Sequence, residues 1–296
     1  MKAAAVMADI VDRLIAEIEN GAAEWRMPWN TTTGLPHNAV TGNVYRGGNI
    51  IGLWLEAAER GYTSAGWATY KQWQSVDAQV RKGERGTRLV KWIENKADTE
   101  SSKVADTPVG DAKRGRLIPV SFSVFNLAQC DTAANTATVD PTPRHEGNFA
   151  HFFDAVPATI RWGTGNPCYL PERDEVRMPE WEAFHSTAAG HATLAHELAH
   201  WTAHPSRLDR DLTGRYGDDS YAMEELIAEM SAAFTCAEVG IAPAIRDDHA
   251  PYLDHWLRVL KAEPRHLWSV ASTAQAATDH LASYSAPATV EPQRAA

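Results

Sequence analysis

The 296-residue chain carries a formal net charge of −10 at pH 7 with 44% hydrophobic residues, which suits two domains of ordinary size, each burying its own core. No apolar run nears the roughly 20 residues a membrane-crossing helix needs, and no leader-like segment opens the chain, so a cytoplasmic protein without membrane contact is expected. The three cysteines, Cys130, Cys168 and Cys236, are far apart and odd in number, so they suggest neither a disulfide framework nor a cysteine-based metal cluster.

The charge is unevenly spread. Residues 1–126 hold 16 Lys and Arg against 14 Asp and Glu, and residues 127–296 hold 12 against 24, so the halves are +2 and −12. Only the first half can tolerate a polyanion, and the second repels one.

In chain order, Val6, Ile10, Leu14, Ile15 and Ile18 recur at helical spacing and predict an amphipathic helix ending near Gly21. The segment Trp25-Arg-Met-Pro-Trp29 reads as a turn. A second helix is expected over Asn49–Arg60, stopped by Gly61, and a third from Thr69, where Gln72 completes a capping box. Two strands follow, Thr87–Glu94 and Leu117–Phe125, around a polar loop at 97–115.

Residues 128–145 are poor in large apolar groups and hold two prolines, the composition of a linker between domains 1–127 and 146–285. Beyond it a short helix at Asn148–Val156 and strands at Thr159–Trp162 and Pro167–Leu170 are predicted. Long helices over 187–203, Tyr221–Val239, 250–262 and 266–283 then make the second domain mostly helical with a small sheet, and 286–296 a disordered tail. The fold class is α+β, in two domains.

Within the 187–203 helix stands His196-Glu197-Leu198-Ala199-His200, an HExxH motif. Histidines four apart lie about 40° from each other around a helix, so both rings can reach one ion. Glu197 is placed as the general base that takes a proton from water and returns it to a leaving group. Zinc is the expected cofactor, with another divalent ion such as manganese as the alternative.

Catalytic zinc takes three protein ligands. A metzincin pattern is excluded, because Ala203 and Ser206 stand where Gly and His would be required. His204 is one remaining source. The better one is the next helix, where Glu229 sits mid-helix among small and apolar residues and an unpaired carboxylate would be costly. Glu229 is preferred as ligand, Glu225 is its supporting partner or the alternative ligand, and Glu224 reads as solvated.

Residues 81–92 present five positive charges, Arg81, Lys82, Arg85, Arg88 and Lys91, against the single negative Glu84. With Arg46 and the nearby aromatics Trp73 and Trp92, they form a candidate single-stranded DNA surface of cations beside stacking rings. An aromatic core with a basic rim fits the same composition.

The ordered motifs Trp25-Arg-Met-Pro-Trp29, Asn43-Val-Tyr-Arg-Gly-Gly-Asn49, Trp67-Ala-Thr-Tyr-Lys-Gln72, Val80-Arg-Lys-Gly-Glu84 and Val124-Phe-Asn126 resemble the first domain of the ArdC antirestriction family. Met178-Pro179, Thr193 through Trp201, Arg207-Leu208 and Tyr221 through Phe234 resemble its zincin-like domain. The resemblance covers about residues 1–285. It departs at Ala203, where the family commonly shows glycine. The family is found on conjugative plasmids and related mobile elements, and its members include the N-terminal regions of TraC-type primases. The resemblance implies single-stranded DNA binding by the first domain and a metallopeptidase-like site of His196, His200 and a glutamate from the following helix. It also implies protection of incoming DNA from host restriction, with a restriction-related host protein as a partner or substrate.

Overall fold

The computed structural model describes residues 2–21, 34–94, 117–132, 149–212, 218–241 and 250–285. The Trp25–Trp29 turn, the 97–115 loop, the tail and residues 133–145 of the expected linker lie outside the described residues.

The first half opens with α1 (Ala3–Gly21), β1 (His37–Asn38), α2 (Gly48–Arg60), β2 (Gly66–Ala68) and α3 (Tyr70–Ser75). Then come β3 (Ala78–Val80), β4 (Thr87–Glu94), β5 (Leu117–Asn126), a 3-10 turn at Leu127–Gln129 and β6 (Cys130–Thr132). The local signals act as expected. Gly61 ends α2 in the left-handed region at φ 67°, and the Thr69–Gln72 capping box opens α3.

One sheet has the order β1-β2-β5-β4, with β1 and β2 parallel and the other pairs antiparallel. The β4–β5 ladder runs from Thr87 opposite Val124 to Glu94 opposite Leu117. A second, two-stranded sheet pairs β3 with β6.

That pairing corrects the start of the linker. Residues 128–132 are folded into the first unit, where Cys130 faces Val80 in the ladder and Gln129 is buried with its amide on Glu84. Their small, polar composition suits a tight turn and a short edge strand as well as it suits a linker.

The second half contains α4 (Phe149–Asp154), β7 (Thr159–Arg161), β8 (Cys168–Leu170), β9 (Glu175–Arg177), α5 (Thr187–Trp201), α6 (Asp219–Val239), α7 (Ala250–Ala262) and α8 (His266–Ser285). Its three-stranded sheet has the order β7-β9-β8. Strand β9, not foreseen, is the central one, parallel to β7 and antiparallel to β8.

Helix α5 is buried on nearly every side from Gly190 to Ala199, as a helix packed between a sheet and another helix must be. The sheet residues Tyr169, Val176 and Met178 pack on it together with Cys236 and Val239 of α6. Gly190 is required, since a Cβ there would lie 2.2 Å from the Trp181 ring.

Besides clusters of their own, the two halves share one core. Val6, Ile10 and Leu14 of α1 and Ile50 and Trp54 of α2 share one buried cluster with Leu226 and Phe234 of α6, Trp256 and Leu260 of α7, and Leu267 and Val270 of α8. The metal-motif unit thus rests on helices that the first unit helps to bury. Among the described residues no helix is long and apolar enough to cross a membrane.

A candidate metal centre between two helices

Helix α5 starts at Ser186, whose hydroxyl accepts from the Ala189 N–H at 3.1 Å, and this fixes the phase at which its histidines emerge. His196 and His200 turn toward α6. Their Nε2 atoms approach to 3.2 Å, with ring planes at 80°.

Glu225 of α6 meets both rings. Its Oε2 is 3.6 Å from Nε2 of His196 and its Oε1 is 3.5 Å from Nε2 of His200. One potential ligand atom from each of His196, His200 and Glu225 falls within 4.8 Å of the others.

The outer nitrogens are also occupied. Glu229 Oε2 lies 3.3 Å from Nδ1 of His196, and Glu224 Oε1 lies 3.2 Å from Nδ1 of His200. Behind His200 the Glu224 carboxylate is in hydrogen-bond geometry and directs the second nitrogen inward, the usual support of a histidine ligand, whereas Glu229 approaches His196 at ion-pair distance without hydrogen-bond geometry. The three glutamates therefore divide in a way opposite to the sequence preference. Glu225 is placed with the inward nitrogens, and Glu229 backs His196. The reason is helical phase: Glu229 is one turn beyond Glu225 along α6 and reaches the far side of the same ring.

Glu224, expected in solvent, is buried at 7% exposure. Burial raises its carboxyl, but hydrogen bonds from His200 and Arg210 outweigh that and hold it below the ordinary carboxylate range. Glu225 is likewise raised by burial but brought down to about 2 by the His196 hydrogen bond and the nearby imidazoles. A pocket of this kind keeps its carboxylates ionised and attracts cations.

Two imidazole nitrogens 3.2 Å apart, faced by an ionised carboxylate, form a donor set that a divalent cation fits. Each lone pair gains a partner that the other ring cannot supply.

Glu197, next to His196 on α5, is buried. Strand β8 lies against this helix, and the Cys168 thiol is raised first by its own burial and next by the charge of Glu197. His204 turns away from the centre and bonds Ser206 at 2.8 Å.

The cationic candidates of the first half separate into two groups. Lys82, Arg85, Arg88 and Lys91 are exposed, Lys91 lies 5.8 Å from the Phe122 ring, and Trp92 is 54% exposed. Three others have partners within the fold. Trp73 is wholly buried and its indole donates to the Phe125 carbonyl at 3.0 Å, so it offers no stacking face, which corrects its place among the DNA candidates. Arg81, 42% exposed, binds Glu84 and the Ala128 carbonyl, and Arg46, 61% exposed, is paired with Asp279 of α8, so both cations remain at the surface. Tyr70, 42% exposed and edge-on to Phe125, is a further aromatic at the surface of this half.

The chain superposes on the crystal structure of the antirestriction ArdC protein from plasmid R388, in its metal-free form, with a TM-score of 0.74 and 39% identity, over 95% of this chain and 97% of that one. This chain belongs to the ArdC antirestriction family. The Mn(II)-bound structure of the same ArdC protein matches equally, at a TM-score of 0.74 and 38% identity. Within this ArdC-like chain, residues 4–125 match the N-terminal domain of anti-restriction factor ArdC, and residues 148–273 match the zincin-like metallopeptidases. An uncharacterized protein of Sinorhizobium fredii is 38% identical over 92% of this chain and 90% of its own length. A DNA primase TraC of Escherichia coli is 33% identical over 93% of this chain but only 27% of its own length, so the ArdC-like chain spans about a quarter of that primase.

Proposed function

We propose that this ArdC-like antirestriction protein binds single-stranded DNA through its first unit and carries a metal-dependent peptidase site in its second. The observation that supports the second part is the convergence of His196 Nε2, His200 Nε2 and Glu225, with a glutamate behind each ring. His196, His200 and Glu225 are the residues that would hold a divalent ion, and zinc suits the nitrogen and oxygen donors. Such an ion supplies Lewis acidity, polarising a carbonyl and making a water more acidic.

Glu197 takes the proton of the attacking water and delivers it to the departing amine. Its burial beside β8 keeps bulk water from competing for that proton. Glu224 keeps the His200 ring from rotating, and Glu229 lies behind the His196 ring.

The DNA reading rests on Lys82, Arg85, Arg88 and Lys91 beside Trp92, all exposed, on a unit matched to the ArdC N-terminal domain. Arg46 and Arg81 are exposed too, although paired with Asp279 and Glu84, and stay among the proposed DNA contacts, whereas the buried Trp73 serves the fold instead. The domain limits that accompany this reading place the first unit at 1–132 and the zincin-like unit from about 148. The protein is placed in the cytoplasm, where entering DNA meets restriction, and a restriction-related host protein is the proposed partner or substrate.

Glu197→Gln tests hydrolysis. The variant keeps the metal and DNA binding but loses protection of an incoming plasmid in a restricting host. Full protection by Glu197→Gln would replace the peptidase with a DNA-masking protein whose metal only ties α5 to α6.

A further inference from the structure

We propose that Arg210 is a positioning residue for the metal centre: by clamping Glu224 against Nδ1 of His200, it sets which imidazole nitrogen faces the ion. The inference rests on the metal-site reading above.

Arg210 lies in the segment after α5, with its side chain only 8% exposed. A buried guanidinium is costly unless its donors are matched, and here all three of its nitrogens donate. Nε donates to Glu224 Oε2 at 3.0 Å and Nη2 to Glu224 Oε1 at 2.7 Å. Nη1 donates to the Thr202 hydroxyl at 2.7 Å, and Nη2 also to the Ala199 carbonyl at 2.7 Å. The last two bonds place a positive charge at the C-terminal end of α5, one residue from His200, where the helix dipole favours it.

Glu224 Oε1 is the shared atom. It accepts from Arg210 and lies 3.2 Å from Nδ1 of His200. A neutral imidazole that donates its Nδ1 proton carries its lone pair on Nε2, the nitrogen that faces His196 and Glu225. With both Glu224 oxygens held by one planar fork, the carboxylate cannot swing away from the ring. Loss of the fork frees Glu224 to rotate and leaves His200 without a fixed orientation, although no metal ligand has changed.

Arg207 supplies the internal control. It also binds the end of α5, through the Trp201 carbonyl at 2.6 Å, and lies over the Trp201 ring at 3.8 Å. Its carboxylate partner is Asp174, between β8 and β9, and not a group on a metal-motif histidine. Removing Arg207 disturbs the same helix end and spares the Glu224–His200 pair.

The test measures Mn(II) affinity of the full chain from the electron paramagnetic resonance of the free aqueous ion, with His200→Ala as the non-binding reference. Arg210→Met is expected to weaken Mn(II) roughly 10- to 100-fold, the usual effect of losing outer support. Glu224→Gln gives a similar loss, and the double variant is no weaker than the weaker single one, because both act through one path. Arg210→Lys, which keeps the charge but not the fork, loses part of the affinity. Arg207→Met lowers thermal stability and leaves Mn(II) affinity as in the wild type.

A folded Arg210→Met with wild-type affinity overturns the proposal, as do additive losses in the double variant or an equal loss in Arg207→Met. If Arg210→Met does not fold, Arg210→Lys decides, and wild-type affinity there overturns it. Absence of His200-dependent Mn(II) binding in the wild type is a separate result, which removes the metal reading and this inference together.

Discussion

The side-chain amide of Asn49 grips the backbone of Val90: its Oδ1 accepts the Val90 N–H at 3.0 Å and its Nδ2 donates to the Val90 carbonyl at 2.7 Å. Strand β4 is the edge of its sheet, so these two groups have no further strand to pair with, and α2 supplies the substitute. At Val90 the edge is thus closed to another strand.

Asn49→Ala removes both partners beside the buried Val90, at a cost of about 1–3 kcal/mol. For a chain of this size that is roughly 2–4 °C in Tm per kcal/mol. Asn49→Asp keeps the acceptor but turns a carboxylate oxygen toward the Val90 carbonyl, and is expected to melt no higher than Asn49→Ala in thermal denaturation. A Tm equal to the wild type in both variants would show that water serves the edge equally well.

Trp73 and Trp92 separate fold from DNA binding. Trp92→Ala removes an exposed ring and is expected to weaken single-stranded DNA by about 1–3 kcal/mol with little change in Tm. Trp73→Ala empties a buried site and costs about 3–5 kcal/mol of stability instead. Removing Lys91 or Arg88 should lower the slope of log affinity against log salt by roughly 0.7 for each phosphate that is no longer neutralised. Fluorescence titrations at several salt concentrations, beside melting curves, read all of these, and unchanged DNA affinity in Trp92→Ala together with Lys91→Ala moves the surface elsewhere.

The local signals in the sequence were sufficient for most helices, because Gly61, the Thr69–Gln72 box and the periodic apolar stripes act over a few residues. Strands of three residues such as β3, β6 and β9 carry too few residues for a period and exist through their partners. The HExxH pair was legible for the same local reason, since four residues on a helix fix an angle. The division of labour among Glu224, Glu225 and Glu229 was not. It depends on the rotation of α6 against α5 and on Arg210, which arrives from a loop 14 residues before Glu224. The shared core was hidden as well, because periodicity shows that α1 has an apolar face but not that α7 and α8 cover it.

Metal removal should lower stability. Anything that binds only the folded chain adds RT ln(1 + [L]/Kd), about 2.7 kcal/mol at a hundredfold excess over Kd. Chelation of the purified protein should therefore reduce Tm, and readdition of Zn(II) or Mn(II) should restore it in the wild type and not in His196→Ala. Equal Tm values with and without chelator would mean that α5 and α6 hold together without an ion.

Asp174 gives a defined acid-side dependence. Its carboxyl is held below the ordinary range chiefly by the Arg207 hydrogen bonds, against the opposing effect of burial and with help from Tyr169. Because the folded value is the lower one, the contribution is complete above the unfolded value near 4 and is lost as pH falls through the folded value. Asp174→Asn retains the left-handed backbone at φ 48° and the side-chain shape, but removes the charge and one of the two oxygens that accept from Arg207. The variant should be less stable than the wild type at pH 7, and the difference should shrink as pH is lowered below 4. Parallel urea curves of constant separation from pH 7 to 3 would exclude the pair as a source of stability.

Gly48 joins the two halves. It opens α2, and a Cβ there would lie 2.6 Å from the ring of Trp268 on α8, whose indole N–H in turn donates to the Met7 carbonyl of α1 at 3.3 Å. Gly48→Ala therefore forces the aromatic ring or the helix to move, and overpacking of this kind costs about 1–3 kcal/mol. Since α1, α2, α6, α7 and α8 share one cluster, the cost falls on both units at once. Thermal unfolding followed by tryptophan fluorescence and by metal release should shift down together in Gly48→Ala. Metal release at the wild-type temperature, with only the fluorescence transition lowered, would mean that the units unfold independently and that the shared cluster does not couple them.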